Sequence, residues 1–151
     1  MKAPKADQET FERCEKEGIY KDGKYKEEYV QALQSVYQPI TISVPVPRYL
    51  RDVFGSLSWD VYHAMWGRES EFKITGNLKS LDLRRRLREI QAPVLIIASD
   101  SGLIPFEYAK RDAENIRNSK LVLIENAKHF IFLDQPKQFE QVVKEFLVEK
   151  K

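Results

Sequence analysis

The chain has 151 residues, of which 42% are apolar and 32% are charged, and its net charge is only +2. This composition is typical of a globular protein and allows one domain, or one small domain with part of another. The balanced charge excludes a general electrostatic attraction to nucleic acid or membranes, and no apolar run approaches the roughly 18 residues that span a bilayer.

The single cysteine and the N-terminal residues bear on the compartment. Cys14 has no partner cysteine in the sequence, so an internal disulfide is excluded, and cysteine usage fits a reducing environment. The first seven residues include no hydrophobic stretch of the kind that directs secretion. We therefore expect a cytoplasmic protein.

The first 80 residues are predicted to form an irregular, mainly helical region. The predicted elements, in chain order, are a polar helix that ends before Gly18, a turn over residues 20–26, a helix over 27–37, a helix over 47–54 and a helix over 59–66. Residues 39–47 contain three prolines, a pattern that predicts an extended crossover because proline lacks the N–H that a helix needs.

From residue 81 onwards the pattern is regular. Two unbroken apolar runs, typical of strands covered on both faces, lie between segments with helical periodicity. The predicted elements are an amphipathic helix over 81–90, a strand over 94–98, a helix over 105–118, a strand over 121–124 and a helix over 136–148. This alternation predicts an α/β fold with parallel strands.

Two parallel strands are too few for a stable sheet. Each outer edge of such a pair exposes unpaired backbone donors and acceptors, and both faces need a covering layer. We therefore expect a partner at one outer edge of the pair, either a complementary polypeptide or a second copy of the chain.

Two titratable residues follow the two predicted strands. Asp100 comes two residues after the first strand and His129 comes five residues after the second. Because the carboxyl ends of parallel strands meet at one edge of a sheet, both are expected in one loop cluster. A carboxylate that orients an imidazole produces a general base. Asp100 also fits a simple role as a turn-forming residue ahead of Gly102, and His129 fits an ordinary loop histidine.

The sequence lacks the nucleophile that this pair would activate. No Gly-x-Ser-x-Gly turn occurs, Cys14 lies on a polar helix, and Ser56 lacks both the second glycine and a preceding strand. No metal-ligand cluster, phosphate-binding glycine loop or dinucleotide fingerprint is present, so no cofactor and no metal are expected.

Several stretches resemble a known family. From about residue 18 the chain is similar to α/β-hydrolases of the proline iminopeptidase (prolyl aminopeptidase) type. The cap-like part of the resemblance lies in residues 61–67, 70–76 (Ser-Glu-Phe-Lys-Ile-Thr-Gly) and 81–82, with a helix that includes residues 26–29; the core-like part lies in residues 92–97, Pro105, residues 129–136 and residues 139–147. The Glu-Phe-x-Ile-Thr-Gly element indicates the iminopeptidase branch.

The resemblance implies a partial α/β-hydrolase fold and the following roles. Residues 1–80 would form a portion of the helical cap, and residues 81–151 the C-terminal part of the core. Asp100 and His129 would be the acid and base of a Ser-Asp-His triad, and Glu71 would bind the substrate's α-amino group. The family's acid motif is one residue longer than residues 99–102, so an ungapped match places Ser101 at the acid position, and the family's adjoining glutamate has no counterpart.

The predicted function is the C-terminal portion of a serine hydrolase that releases N-terminal proline from peptides. Without a nucleophile it is expected to be inactive unless a complementary N-terminal half is present, and its substrate would then be a peptide or a small amide or ester. The alternative is a non-catalytic remnant or binding module. That module would use the aromatic cap surface, which consists of Trp59, Tyr62, Trp66 and Phe72.

Overall fold

The computed structural model describes residues 4–21 and 24–148. In chain order the elements are α1 (Lys5–Glu17), β1 (Tyr20–Lys21), β2 (Lys24–Tyr25), α2 (Glu27–Thr41), α3 (Arg48–Gly55), α4 (Trp59–Met65), two 3₁₀ helices (Asn77–Ser80 and Arg84–Glu89), β3 (Val94–Ser99), α5 (Phe106–Asn115), β4 (Ser119–Ile124), α6 (Ile131–Asp134) and α7 (Pro136–Val148). They form two compact units. One comprises residues 1–38 and 46–81, and the other comprises residues 39–45 and 82–151.

The first unit is built around an apolar cluster on α1, α2 and the intervening hairpin. Its fully buried members include Cys14, Ile19 and Tyr29, with Phe11 and Ala32 beside them. Complete burial of an Ile or Tyr side chain is worth about 1.5–3 kcal/mol. The antiparallel β1–β2 hairpin pairs Tyr20 with Tyr25, whose rings stack with centroids 4.6 Å apart. Burial of these aromatic side chains therefore fixes the hairpin against the helices.

The second unit contains the parallel pair of strands. β3 and β4 run in register from Val94 opposite Ser119 to Ser99 opposite Ile124. Helix α5 connects them and packs on both, and α7 packs on β4. The carboxyl ends of both strands therefore open at one edge of the sheet, followed by the loops that carry Asp100 and His129. The predicted parallel α/β arrangement is confirmed.

The proline-rich segment departs from its prediction. Helix α2 continues through Pro39 to Thr41, whereas an extended crossover was predicted from residue 38 onwards. Proline within a helix removes one hydrogen bond, a cost that is limited here because only two residues follow Pro39 before the helix ends. The carbonyls of Ile40 and Thr41 are satisfied by the N–H groups of His129 and Phe130, at 3.3 and 2.8 Å, and this tertiary pairing supports the last turn.

Residues 81–90 were predicted as an amphipathic α-helix, and this was also wrong. The segment forms a 3₁₀ helix over Arg84–Glu89, preceded by Asp82, which accepts the N–H of Arg84 at 3.0 Å. An aspartate that bonds the backbone two residues ahead favours a tight turn over regular helix. Apolar spacing alone does not distinguish these two helix types over such a short stretch.

Strand β3 is less covered than its apolar sequence predicts. Its first four residues are only half-buried, and Ala98 and Ser99 are the buried ones. Within the described residues β3 has one neighbouring strand, β4.

Among the helices of the described residues, none combines the length and the apolar character of a membrane span.

Candidate functional site

The loop that follows β4 presents an exposed histidine on a fully hydrogen-bonded backbone. We call residues 125–130 the His129 loop. Each of its five N–H groups from residue 126 to residue 130 donates to a group elsewhere in the second unit. Asn126 adopts a left-handed conformation with φ of 56°, which turns the chain sharply after the strand. Such complete satisfaction holds an irregular loop in one conformation.

Asp100 holds the first part of this loop. Its two carboxylate oxygens accept the N–H groups of Asn126 at 3.1 Å and Ala127 at 3.3 Å. In return the N–H of Ser101 donates to the carbonyl of Ala127 at 3.3 Å. These backbone donors lower the pKa of the Asp100 carboxyl, chiefly through the bond from Asn126. Asp100 therefore connects the loop after β3 to the loop after β4.

Asp134, on α6, holds the second part of the loop. Its Oδ2 accepts the N–H of Lys128 at 2.8 Å, and its Oδ1 accepts the N–H of Ser43, also at 2.8 Å. The neighbouring Gln135 side chain donates to the carbonyl of Asn126 at 3.0 Å. The sequence analysis assigned no role to Asp134 or Gln135. Their proximity to His129 in the sequence was the available indication, but which backbone groups they bind depends on the fold.

His129 is one of the residues that line a mainly apolar cavity of about 400 Å³. The ring is exposed and meets the Phe130 ring edge to face, with centroids 5.5 Å apart. Ser99 and Gly102 line the same cavity. At Gly102 a Cβ atom would lie 2.4 Å from Oγ of Ser99, so a side chain at position 102 would force the Ser99 hydroxyl to move. The cavity is large enough for a small organic group beside the histidine.

The structure places Asp100 and His129 in one loop cluster but does not join them. Across the described residues, no hydrogen bond links the Asp100 carboxylate to the His129 ring, because both carboxylate oxygens are directed to the backbone at residues 126 and 127. Ser101, the other residue considered for the acid position, is exposed on the same turn. In this arrangement Asp100 orients the loop that carries the imidazole.

Glu71, in the first unit, is surrounded by tyrosine side chains. The hydroxyl groups of Tyr25 and Tyr62 each donate to one of its carboxylate oxygens, the latter at 2.7 Å. Its backbone N–H donates to the hydroxyl of Tyr29 at 3.1 Å, and its carbonyl accepts the indole N–H of Trp66 at 3.2 Å. Glu71 is thus a half-buried residue whose carboxylate is held by two tyrosines and whose backbone is held by two further aromatic residues.

Burial and this carboxylate keep the surrounding tyrosines protonated. The pKa of Tyr25 and that of Tyr62 are raised above their usual range, first by burial and then by the hydrogen bond to Glu71. Burial raises the pKa of Tyr29 to about 12. The phenols therefore remain hydrogen-bond donors at any pH near neutrality, and their hydroxyl groups define one face of the Glu71 carboxylate.

A glycine explains why the Glu-Phe-x-Ile-Thr-Gly element packs where it does. The N–H groups of Thr75 and Gly76 both donate to the carbonyl of Trp66, at 2.8 and 2.9 Å. A Cβ at Gly76 would lie 2.5 Å from the carbonyl oxygen of Met65. The backbone of this element therefore lies directly against the end of α4, and a larger residue at position 76 would displace it.

His63, the second histidine, is a core residue of the first unit. It is 8% exposed and packs edge to face on Tyr20, with ring centroids 4.8 Å apart. Neither of its ring nitrogens has a hydrogen-bond partner among the described residues, and burial lowers its pKa. Among the described residues, no group of three or more His, Cys, Asp or Glu side chains could hold a metal ion.

The chain is similar to proline iminopeptidases over almost its whole length. It is 28% identical over 148 residues to the proline iminopeptidase of Heyndrickxia coagulans, which covers 97% of this chain and 50% of that protein. The crystal structure of the proline iminopeptidase of Mycobacterium smegmatis superposes with a TM-score of 0.75 at 26% identity, and covers 97% of this chain and 48% of the other. The crystal structure of VinJ superposes with a TM-score of 0.81 at 25% identity, and the match covers 97% of this chain and 49% of VinJ.

These similarities confirm the resemblance that was inferred from the sequence. The chain is similar to the C-terminal half of an α/β-hydrolase of the proline iminopeptidase type, and its fold is a partial α/β-hydrolase fold. It spans about half the length of the curated relatives it matches. No model of a protein family matches the chain.

Proposed function

We propose that this chain supplies the general base of a serine hydrolase whose nucleophile lies on a complementary N-terminal half. The observation that carries the proposal is the His129 loop, in which five consecutive N–H groups are fixed and the histidine is left exposed beside an apolar cavity. A histidine held in this way is pre-organised to accept a proton. Similarity to about half of each proline iminopeptidase supports the same function.

In the proposed reaction His129 removes the proton from a serine hydroxyl as the serine oxygen attacks a substrate carbonyl. The same imidazolium then gives the proton to the departing amine as the carbon–nitrogen bond breaks, which leaves the acyl group on the serine. Water, deprotonated by the same imidazole, then attacks this ester; the acid is released and the serine oxygen regains its proton. Asp100 acts as a positioning residue, because its carboxylate holds the backbone at residues 126 and 127 and thereby sets where the imidazole lies. The serine and the oxyanion donors come from the complementary half.

The proposed reaction is the release of an N-terminal proline from a peptide. Glu71 is the proposed ligand of the substrate's α-amino group, a role that its fixed carboxylate and the adjacent Tyr25 and Tyr62 support. A carboxylate attracts an ammonium group, and aromatic faces contribute further attraction to a cation and to a proline ring.

The proposed partner is an N-terminal hydrolase half that adds a strand beside β3. The half-buried residues 94–97 support this partner, because a parallel strand is stable only when neighbours cover its edge and faces. Association of two copies through the same edge is the competing outcome. The cytoplasmic location that the sequence favours remains a prediction.

Reconstitution tests the proposal. The chain is co-expressed with the N-terminal half of a proline iminopeptidase and assayed on a proline arylamide. We expect activity from the combined halves and none from either half alone. His129→Ala should abolish the activity, whereas Glu125→Ala, which alters an exposed residue of the same loop, should retain it.

Two results would refute the proposal. Turnover by the isolated chain would show that it carries its own nucleophile. A reconstituted enzyme that is indifferent to His129→Ala would instead favour a non-catalytic module that uses the aromatic surface around Trp59 and Tyr62.

A further inference from the structure

A second cavity in the unit that carries His129 is lined by four arginines. Its volume is about 610 Å³, and its walls come from the 3₁₀ helix Arg84–Glu89, the residues next to it, and α5. The lining consists of Asp82, Arg84, Arg85, Leu87, Arg88, Arg111, Asp112 and Asn115. His129 is not part of this lining, although Leu87 and Asp112 line both this cavity and the one at His129.

Two of the four arginines are held in place by carboxylates. Arg84 donates from Nε to Asp82 at 2.8 Å and also from Nη2. Arg111 donates to Asp112 at 3.4 Å and lies over the Tyr108 ring, 5.1 Å from its centroid. A guanidinium has five N–H donors, so each of these arginines keeps donors for another acceptor.

The other two arginines, Arg85 and Arg88, form no ion pair with any carboxylate in the described part of the chain. Arg88 donates from Nε and Nη2 to the side-chain oxygen of Asn115, both at a long 3.4 Å. The amide nitrogen of Asn115 donates to the carbonyl of Arg111 at 2.8 Å, which turns its oxygen towards Arg88. Among the described residues, no carboxylate lies within ion-pair distance of Arg85 or Arg88. The lining holds four positive and two negative charges, a surplus of two, and the Asp82 carboxylate also feels the charge of Arg85.

We propose that this cavity binds a small phosphorylated anion. Guanidinium groups pair with phosphate oxygens through two parallel hydrogen bonds, and a multiply charged phosphate accepts from several arginines at once. The arginines are exposed, but they come from two segments of the chain and line one concave space. The volume is in the range of sites that hold small organic ligands, which admits an organic phosphate as well as an inorganic one.

The experiment is calorimetric titration of the full chain with pyrophosphate, repeated with citrate as a carboxylate probe. We expect saturable binding of pyrophosphate with a stoichiometry of one, and clearly weaker binding of citrate. The Arg85→Ala/Arg88→Ala double variant should bind pyrophosphate at least about tenfold more weakly, because each charge-assisted pair contributes substantially to affinity. Arg88→Lys keeps the positive charge but loses the paired N–H donors of the guanidinium, and should show an intermediate loss of affinity for pyrophosphate.

Arg86→Ala provides the matched control. Arg86 is in the same 3₁₀ helix but pairs with Glu89 at 2.9 Å and does not line the cavity. Equal weakening by Arg86→Ala would mean that general surface charge binds the anion, and would overturn the proposal. Citrate binding as strong as that of pyrophosphate, or no saturable binding, would also overturn it. Thermal unfolding of each variant confirms that a lost affinity does not reflect a lost fold.

Discussion

Asp134→Ala should release the second part of the His129 loop. The substitution removes the acceptors of two N–H groups, those of Lys128 and Ser43, both at 2.8 Å. Hydrogen bonds to a charged group contribute about 1.5–3 kcal/mol, and because Asp134 is half-buried the lower end of this range applies to each bond. Since about 1.4 kcal/mol corresponds to a factor of ten, the opening equilibrium at each amide should rise roughly tenfold.

The assay is amide hydrogen exchange, read residue by residue by NMR. We expect exchange at the Lys128 and Ser43 amides to accelerate about tenfold in Asp134→Ala, while amides in the centre of β4 change little. Asp134→Asn, which keeps one acceptor oxygen, should show a smaller effect. Glu125→Gln, an exposed carboxylate in the same loop, serves as the control. Unchanged exchange at both amides would refute the assignment of Asp134 as an anchor of the loop.

Three further predictions test other contacts. Because the folded-state pKa of Asp100 is lowered, its stabilisation of the His129 loop is fully present above about pH 4 and is lost as the pH falls through the folded pKa. Asp100→Asn should remove this acid dependence of hydrogen exchange at the Asn126 and Ala127 amides. An identical pH profile of exchange in the variant would contradict the prediction. Burial lowers the pKa of His63, so the free energy of unfolding should decrease as the pH falls below about 6.5. In urea denaturation at a series of pH values, His63→Phe should make the free energy of unfolding less dependent on pH in this range. An unaltered pH dependence would exclude His63 as its source. Tyr29→Phe leaves the N–H of Glu71 without its acceptor and should destabilise the chain by about 1–3 kcal/mol in urea denaturation, with no loss if water replaces the hydroxyl.

The regular second half of the chain could be predicted from local pattern. Two apolar runs separated by helical periodicity are confirmed as parallel strands, because each element alone carries enough apolar residues to fix its type. The short helix α6 escaped prediction since four residues are fewer than one helical repeat can reveal. Its function in the fold, placing Asp134 near the backbone of Lys128, depends on a turn that no periodicity describes.

The proline-rich segment shows where local rules are overridden. Pro39 predicted an extended chain. Instead, the segment continues helix α2, and carbonyls of its last turn accept the N–H groups of His129 and Phe130, two residues about ninety positions away in the sequence. Long-range pairings of this kind leave no trace in composition or spacing. The same holds for Asp100, whose position after a strand was predictable but whose bonds to the backbone at residues 126 and 127 were not.

In the candidate site, too, some features could be predicted from the sequence, whereas the contacts that depend on the fold could not. The motif that contains Glu71 was recognisable from the sequence, but its hydrogen bond to Tyr25 joins residues 46 positions apart in the chain, which the local pattern does not show. Tyr25 lies in a hairpin that was predicted only as a turn, so its hydroxyl could not be assigned to any partner. The cavity lined by Arg85 and Arg88 likewise depends on a 3₁₀ helix in place of the predicted α-helix.

The central claim is that His129 activates a serine that another polypeptide half provides. The most direct measurement is the rate at which a fluorophosphonate labels the serine of an N-terminal proline iminopeptidase half, with and without this chain. We expect labelling to accelerate when the chain is added, and to return to the rate of the N-terminal half alone when His129→Ala replaces it. Equal acceleration by the wild-type chain and by His129→Ala would contradict the claim.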